Sequence, residues 1–480
     1  MLEHSPGRGP VLALITGPGG VGKSTLAAQT VTRYSTRYKA ALTLPCAGYQ
    51  DFTLSVLKPI AEFLKSQGLP GLLDAILPDP TLSTAAKMDQ AIAALNAAGP
   101  FLLIVDNLES VQNEDHTLRD GDLLLFLHKL LANLRGSRVL VTSRYAVQGL
   151  LPDGKFAAHV QHLGLDDLSP YETDRLIAHH PSLAQLGEQV RQTLIREFGG
   201  LPYVYDLLSS ESASQNLDLL LHDIQGRITS ERQQRSAEEW NTIRQRVIEF
   251  AALGAAIARL SASSRTLLGR LSVLRRPFPL DALVQGLSAS RPDWQALLDW
   301  SLLRYDPTES TYRLHSLTRY AQDSLLTEPE RVQTQAQLAS WYEHYARHDS
   351  HRLTDYLEAH QLYRASGDVQ HAGELTLQLA GTLRRFGLYS LLRQLCVTTV
   401  QDMHERDESL MAGALHELGI LAQRQGNYSQ ARDLYQQSLQ LFEQLGDLAR
   451  QALSLHGLGN IAQQQGTTPR RGGSTSKVSK

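Results

Sequence analysis

The sequence predicts an α/β domain on a parallel sheet with helices on both faces, followed by all-α modules. Three observations carry this. Short apolar runs at 11–16 (VLALIT), 101–105 (FLLIV) and 138–143 (RVLVTS) alternate with helical patterns such as DLLLFLHKLLANL at 122–134. Apolar strands alternating with helices imply a parallel sheet covered on both sides. Strand signals fade after about residue 160, where segments such as LGEQVRQTLIREF carry helical periodicity. In the C-terminal third, ALHELGILAQRQGNY (414–428) recurs as SLHGLGNIAQQQG (454–466), with Gly426 matching Gly466 forty residues on. Such a period marks stacked helical hairpins.

Taken in order, residues 1–160 read as the α/β domain and 161–250 as a helical lid broken by Gly199-Gly200 and Pro202. Residues 251–328 contain helices leading into a hairpin, SLLRYD, then PTES, then TYRLH, which suggests a winged helix. Trp294, Trp300, Trp341 and Tyr342 fall at helical spacing and read as core. Residues 329–466 read as helical repeats forming an α-solenoid, with a weaker copy at LQLAGTLRRFGLYS (377–390). The polar, basic tail 467–480 is expected to be disordered. It replaces the residues that should follow Gly466, so the array reads as truncated.

The chemistry concentrates in GPGGVGKST, Gly17 to Thr25, between the first strand and the first helix. Gly17, four further residues, then Gly22-Lys23-Ser24 is a full Walker A pattern in strand–loop–helix context, which makes this a P-loop NTPase domain. Gly17, Gly19, Gly20, Val21 and Gly22 would turn backbone N–H groups toward phosphate, with the helix N-terminus behind them. Lys23 would reach the β- and γ-phosphates, Ser24 would offer its hydroxyl to Mg²⁺, and Thr25 lies near the α-phosphate. Asp106 ends an apolar strand and is the second Mg²⁺ candidate. Asn107 follows where a second carboxylate often serves as base; it cannot take a proton, and Glu109 is a possible substitute. Slow hydrolysis is therefore expected. Arg144 ends the strand RVLVTS, where a guanidinium could read a γ-phosphate; Thr142 and Ser143 are weaker polar candidates.

Bulk numbers exclude several classes. Lys+Arg 46 against Asp+Glu 49 gives a net charge of −3, so no global charge points to nucleic acid. Two distant cysteines, Cys46 and Cys396, make neither a metal site nor a disulfide framework, and favour a reducing compartment. The N-terminus lacks the apolar core of a signal peptide, and no apolar run approaches the ~20 residues that span a bilayer. A cytoplasmic protein with no membrane partner is expected.

The ordered motifs resemble a STAND-class, NB-ARC-like signalling ATPase of bacterial type. They are GPGGVGKST, LLIVDNLE (102–109), RVLVTSR (138–144), GGLPYVYDLL (199–208) and RLHSLTR (313–319), covering about residues 10–325. The C-terminal part resembles tetratricopeptide repeats. The resemblance implies that Pro202 touches nucleotide from the lid, and that His315 of the winged helix touches the β-phosphate in a closed, ADP-bound form. It implies ATP/ADP and Mg²⁺ as cofactors, a protein or peptide ligand on the repeats, and self-association in the ATP state. The sequence departs at Ser316, where the family motif has Asp, and at Asn107; few residues precede the first strand to hold adenine. Two other readings compete. A DNA-binding regulator could use the winged helix, with Arg265, Arg270, Arg275 and Arg276 as its basic cluster. A truncated, non-hydrolysing chain could act as a scaffold.

Overall fold

The computed structural model describes residues 9–150, 156–210, 217–307, 309–314, 325–404 and 406–466. The chain divides into two compact units. One comprises residues up to Leu73 and Thr84–Ser366; the other comprises Asp74–Ser83 and everything from Gly367 on.

The first unit opens with a five-stranded sheet: β1 (Leu12–Thr16), β2 (Ala40–Pro45), β3 (Phe101–Asp106), β4 (Arg138–Ser143) and β5 (Val160–Gly164). Its order is β2-β3-β4-β1-β5, and every neighbouring pair is parallel. All six residues of β4 and the first five of β3 are buried, as both faces of the sheet require. Helix α1 (Lys23–Tyr34) packs Ala27 against Leu102, Ile104 and Leu140 on one face. The remaining helices of this domain are α2 (Lys58–Ser66), α3 (Thr84–Ala98) and α4 (Gly121–Asn133). Because the strands are parallel, Thr16, Asp106 and Ser143 share one edge, and Thr16 is in register with Ser143. Strand β5 runs to Gly164, so the boundary expected at 160 falls inside the sheet.

Short helices follow: α5 (Pro170–His179), α6 (Pro181–Ala184), α7 (Glu188–Phe198) and α8 (Pro202–Leu208). Two long helices, α9 (Leu217–Gln233) and α10 (Ala237–Arg259), pair beside them. Gly200 admits no side chain, since a Cβ there would stand 2.0 Å from the Leu168 carbonyl oxygen. The expected hairpin forms as β6 (Leu303–Asp306) against β7 (Thr311–Leu314), with helices α11 (Ala262–Leu271) and α12 (Arg291–Asp299) before it. Phe278 adds a bridge to Tyr312, which gives the hairpin a third backbone partner. Trp300 and Tyr342 are buried as core, while Trp294 and Trp341 are half-buried. The pair α13 (Glu328–Tyr345) and α14 (Leu353–Ala365) belongs to this unit, not to the repeat unit that the expected boundary at 329 assigned it to.

The second unit contains α15 (Val369–Arg385), α16 (Tyr389–Met403), α17 (Glu408–Arg424), α18 (Tyr428–Gln444) and α19 (Leu448–Gly466). The small residues of the repeat signature have a packing purpose. A Cβ on Gly419 or Gly457 would lie 2.8 or 2.7 Å from the ring of Tyr435, so α17 and α19 close on that ring only as glycine. Segment Asp74–Ser83 joins this unit: buried Leu77 lies against Gly387, and Tyr389 Oη donates to the Pro78 carbonyl at 2.8 Å. The tail 467–480 lies outside the described residues.

Candidate nucleotide site

The loop after β1 has the shape its glycines allow. Gly17, Gly20 and Gly22 have φ of 152°, 75° and 99°, conformations that side chains resist. A Cβ on Gly17 would stand 2.4 Å from the Leu165 carbonyl oxygen, so the loop lies directly against the chain leaving β5. Gly19 and Val21 are buried, while Ser24 and Thr25 are exposed on the first turn of α1. Lys23 is 8% exposed and donates to the carbonyls of Gly17 at 2.8 Å and Pro18 at 2.7 Å. Burial lowers its pKa, opposed by Glu109, Glu249 and Asp106, while Arg144 adds to the lowering.

Ser24 Oγ donates to Asp106 Oδ1 at 2.8 Å, and Thr142 Oγ1 donates to the same oxygen. Strands β3 and β4 thus deliver carboxylate and hydroxyl to one point beside the loop. Asn107 takes φ 65°, a left-handed conformation that asparagine tolerates better than most residues, and its N–H donates to Thr142 Oγ1 at 2.9 Å. Glu109 sits in the turn after β3, and its carboxylate faces Arg144, with Arg144 Nε 3.2 Å from Glu109 Oε1. The Arg144 backbone N–H also donates to Glu109 Oε2. Cys46 is buried beside this edge; burial first, then Asp106 and Glu109, pushes its thiol up to about 12, so it is inert.

The residues fit a magnesium nucleotide. Left-handed glycines offer backbone N–H groups, Lys23 offers a buried ammonium, and Ser24 with Asp106 makes the hard oxygen pair that Mg²⁺ takes. Pro202 opens α8, and the next residue, Tyr203, packs on the loop: a Cβ on Gly20 would stand 2.7 Å from Tyr203 Cβ. Asp206 of the same helix meets His180 at 3.6 Å and Arg304 of β6 at 3.2 Å, tying lid to hairpin. His315 lies outside the described residues. Two residues at this site escaped the sequence reading: Tyr203, and Glu249, a buried acid inside α10. Tyr203 lies in the stretch GGLPYVYDLL but was not singled out there, and Glu249 lies in no motif.

The basic cluster read for DNA makes several bonds within the fold. Arg265 donates to the carbonyls of Ala258 and Leu260, Arg270 to Leu287 and Gln337, and Arg276 to Thr354. The Arg275 backbone and side chain both act on Glu358. Arg270 and Arg276 are partly buried, whereas Arg265 and Arg275 remain exposed.

Residues 12–184 match the family model described as the NACHT domain, and residues 410–469 match the tetratricopeptide repeat. No curated protein matches the chain. Among solved structures, it resembles a signal transduction ATPase with numerous domains (STAND) bearing a tetratricopeptide repeat sensor, from Pyrococcus horikoshii. Identity is 14% and the TM-score 0.64, covering 95% of this chain and 63% of that one. The chain thus spans under two thirds of that structure. A Walker-type ATPase of Pyrococcus abyssi aligns at 12% identity and a TM-score of 0.30, over 65% of this chain and 91% of that one; a likeness that weak carries no argument. Among the described residues no helix is long and apolar enough to cross a membrane. Residues 12–184 thus carry a NACHT-type P-loop domain and residues 410–469 tetratricopeptide repeats, on a fold similar to that of the STAND structure.

Proposed function

We propose that this chain is a nucleotide-controlled signalling switch. ATP or ADP, with Mg²⁺, binds at Gly17–Thr25, Asp106 and Arg144, and the bound state governs a closed-to-open change and self-association. The repeats take a protein or peptide ligand that shifts the same equilibrium. The observation that carries this is the seating of Tyr203 on Gly20. Phosphate at the loop and the position of α8 cannot be independent when Tyr203 packs this closely on Gly20. Helix α8 in turn holds β6 through Asp206 and Arg304. A ligand that distinguishes the two arrangements by ~1–3 kcal/mol is enough to couple the sites.

Slow turnover suits a switch. Asn107 cannot act as a base, and Glu109 is occupied by Arg144. Mg²⁺, if held by Ser24 and Asp106, would supply positive charge against the phosphates. Lys23 positions phosphate, and Ser24 with Asp106 holds the cation. In this reading Pro202 touches nucleotide from the lid and His315 touches the β-phosphate, both by resemblance.

The test has three steps. Denaturing the purified protein should release ADP or ATP. Calorimetry should then show ADP binding that Lys23→Ala removes; undiminished affinity in that variant would overturn the assignment. Gel filtration with each nucleotide should show a larger species with ATP.

A further inference from the structure

Helix α19 exposes a face that its own counterpart in the repeats hides. It repeats α17 forty residues on, so Ala412, Leu415, Gly419 and Ala422 recur as Ala452, Leu455, Gly459 and Ala462. In α17 these four residues are buried, and α18 covers them. A Cβ on Gly419 would stand 2.8 Å from the Tyr435 ring, Ser438 Oγ donates to the Ala412 carbonyl at 2.9 Å, and Ala422 packs with Ala431. In α19 all four are exposed, and with Leu448 they form one apolar stripe at helical spacing. Leu448 is 77% and Leu455 54% exposed, and no described atom lies within 4 Å of a Cβ on Gly459. The other side of α19 packs within its unit: Ile461 is buried with Tyr435, and Gly457 meets the same ring.

Charge sets this face apart as well. From Gln451 to Gly466 there is no Asp, Glu, Lys or Arg, although such residues make up 20% of the chain. A solvated helix face carries charges, and their depletion marks the core of an interface. Residues 467–480 do not supply the cover, since Val478 is their one aliphatic side chain. The order of sizes along the stripe selects the occupant. Leu448 and Leu455 occupy its beginning and middle; Gly459 and Ala462 occupy its end. A second α19, antiparallel about a two-fold axis beside Leu455, sets each Leu448 over the small residues Gly459 and Ala462 of the other copy. Large then meets small at both ends, and no like charges oppose. We propose that two copies of this chain pair through α19, in an isologous antiparallel contact that extends the α17–α18 seam. This contact needs no nucleotide and does not rest on the switch reading above.

The experiment measures the mass of the full-length, nucleotide-stripped protein by sedimentation velocity over a range of concentrations. A monomer–dimer equilibrium is expected. Leu455→Asp should raise the dimer dissociation constant by about a hundredfold or more, because it brings two carboxylates together at the axis. Leu219→Asp, at a position 65% exposed on α9, should leave the equilibrium unchanged. Cross-linking tests the geometry. Cys46 and Cys396 are buried, so an introduced thiol is the reactive one. Under mild oxidation Leu455→Cys should give a disulfide-linked dimer. Leu448→Cys should not, since the two 448 positions stand about 20 Å apart along the helices. A protein that is monomeric at every concentration overturns the proposal. So does a dimer that Leu455→Asp leaves intact, or equal cross-linking of the two cysteine variants. A monomer whose α19 instead binds a labelled peptide of the α18 sequence, residues 428–444, would give the face to a foreign helix and overturn it too. In each of these cases ADP binding at the P-loop is unaffected, so the nucleotide reading is judged separately.

Discussion

The guanidinium of Arg144 and the carboxylate of Glu109 form an ion pair, 3.2 Å apart, with both side chains nearly buried. It joins the end of β4 to the turn after β3, immediately beside the Ser24–Asp106 pair. Two residues that sequence reading assigned separately, one to sense phosphate and one to act as base, are therefore each other's partner. Glu109→Gln should lower unfolding free energy by about 1–3 kcal/mol in denaturant melts, the usual cost of leaving one member of a buried charged pair. It also releases a cation toward the nucleotide. The ratio of ATP to ADP affinity should rise severalfold by calorimetry. A lower stability with no change in that ratio would mean that Arg144 does not face the γ-phosphate.

The lid contact can be separated from backbone strain. Gly20 and Gly68 have similar φ, 75° and 85°, but only Gly20 has a neighbour; nothing lies within 4 Å of a Cβ on Gly68. Gly68→Ala should cost roughly 1–2 kcal/mol, the ordinary strain of a left-handed residue. Gly20→Ala adds a clash with Tyr203 Cβ at 2.7 Å and should cost about 1–3 kcal/mol more. Equal losses of melting temperature in the two variants would show that α8 yields freely.

How much of this was legible follows from burial. Strands β1, β3 and β4 were readable because nearly every residue is buried, which leaves an uninterrupted apolar run. Strands β2 and β5 were missed for the converse reason. They are the two edges of the sheet, and their outward residues are wet: VQHLG of β5 has one buried residue in five. The Walker residues were legible because phosphate chemistry demands fixed spacing in one short loop. Glu249 was not, since its place beside Gly20 depends on α10 arriving from more than two hundred residues away. Likewise the sequence shows the charge of the arginines at 265–276 but not the carbonyls that they bond.

Asp51 should make the protein stiffer toward mild acid than toward neutral pH. Its carboxyl is buried, and burial pushes its pKa up to about 6, with Asp120 and Asp122 adding to the rise and the Leu54 N–H opposing it. The sign follows from linkage. A carboxyl raised above its unfolded value of 3.8 carries no penalty below that pH; the penalty grows through the interval and is full above about 6. Asp51→Asn keeps the acceptor for Leu54 and removes the charge. At pH 7.5 it should gain roughly 2–3 kcal/mol in urea melts, a difference that vanishes near pH 4. A variant less stable at pH 7.5 would show that the ionised form is favoured in the fold.

Arg276 links the sheet edge that carries Asp106 to the helix pair α13–α14. The Cys46 N–H donates to the Asp106 carbonyl at 2.8 Å, and Gly48, two residues on, lies under the Arg276 stem, where a Cβ would stand 2.2 Å from Cγ. The guanidinium donates to the Thr354 carbonyl at 2.7 Å. It also acts on Glu358, whose pKa burial raises and Arg276 pulls down. Arg276→Gln removes that cation, so the Glu358 pKa rises further and the ionised form costs more. The variant should lose about 2–4 kcal/mol at pH 7, as when one member of a buried pair is deleted. Because a carboxyl with a raised folded pKa is penalised only as pH climbs above its unfolded value, the loss should shrink steadily toward pH 4.5. Glu358→Gln in the same background should recover most of the stability at pH 7. A loss independent of pH, unrescued by the second change, would place the whole role of Arg276 in its stem against Gly48 and its bond to Thr354.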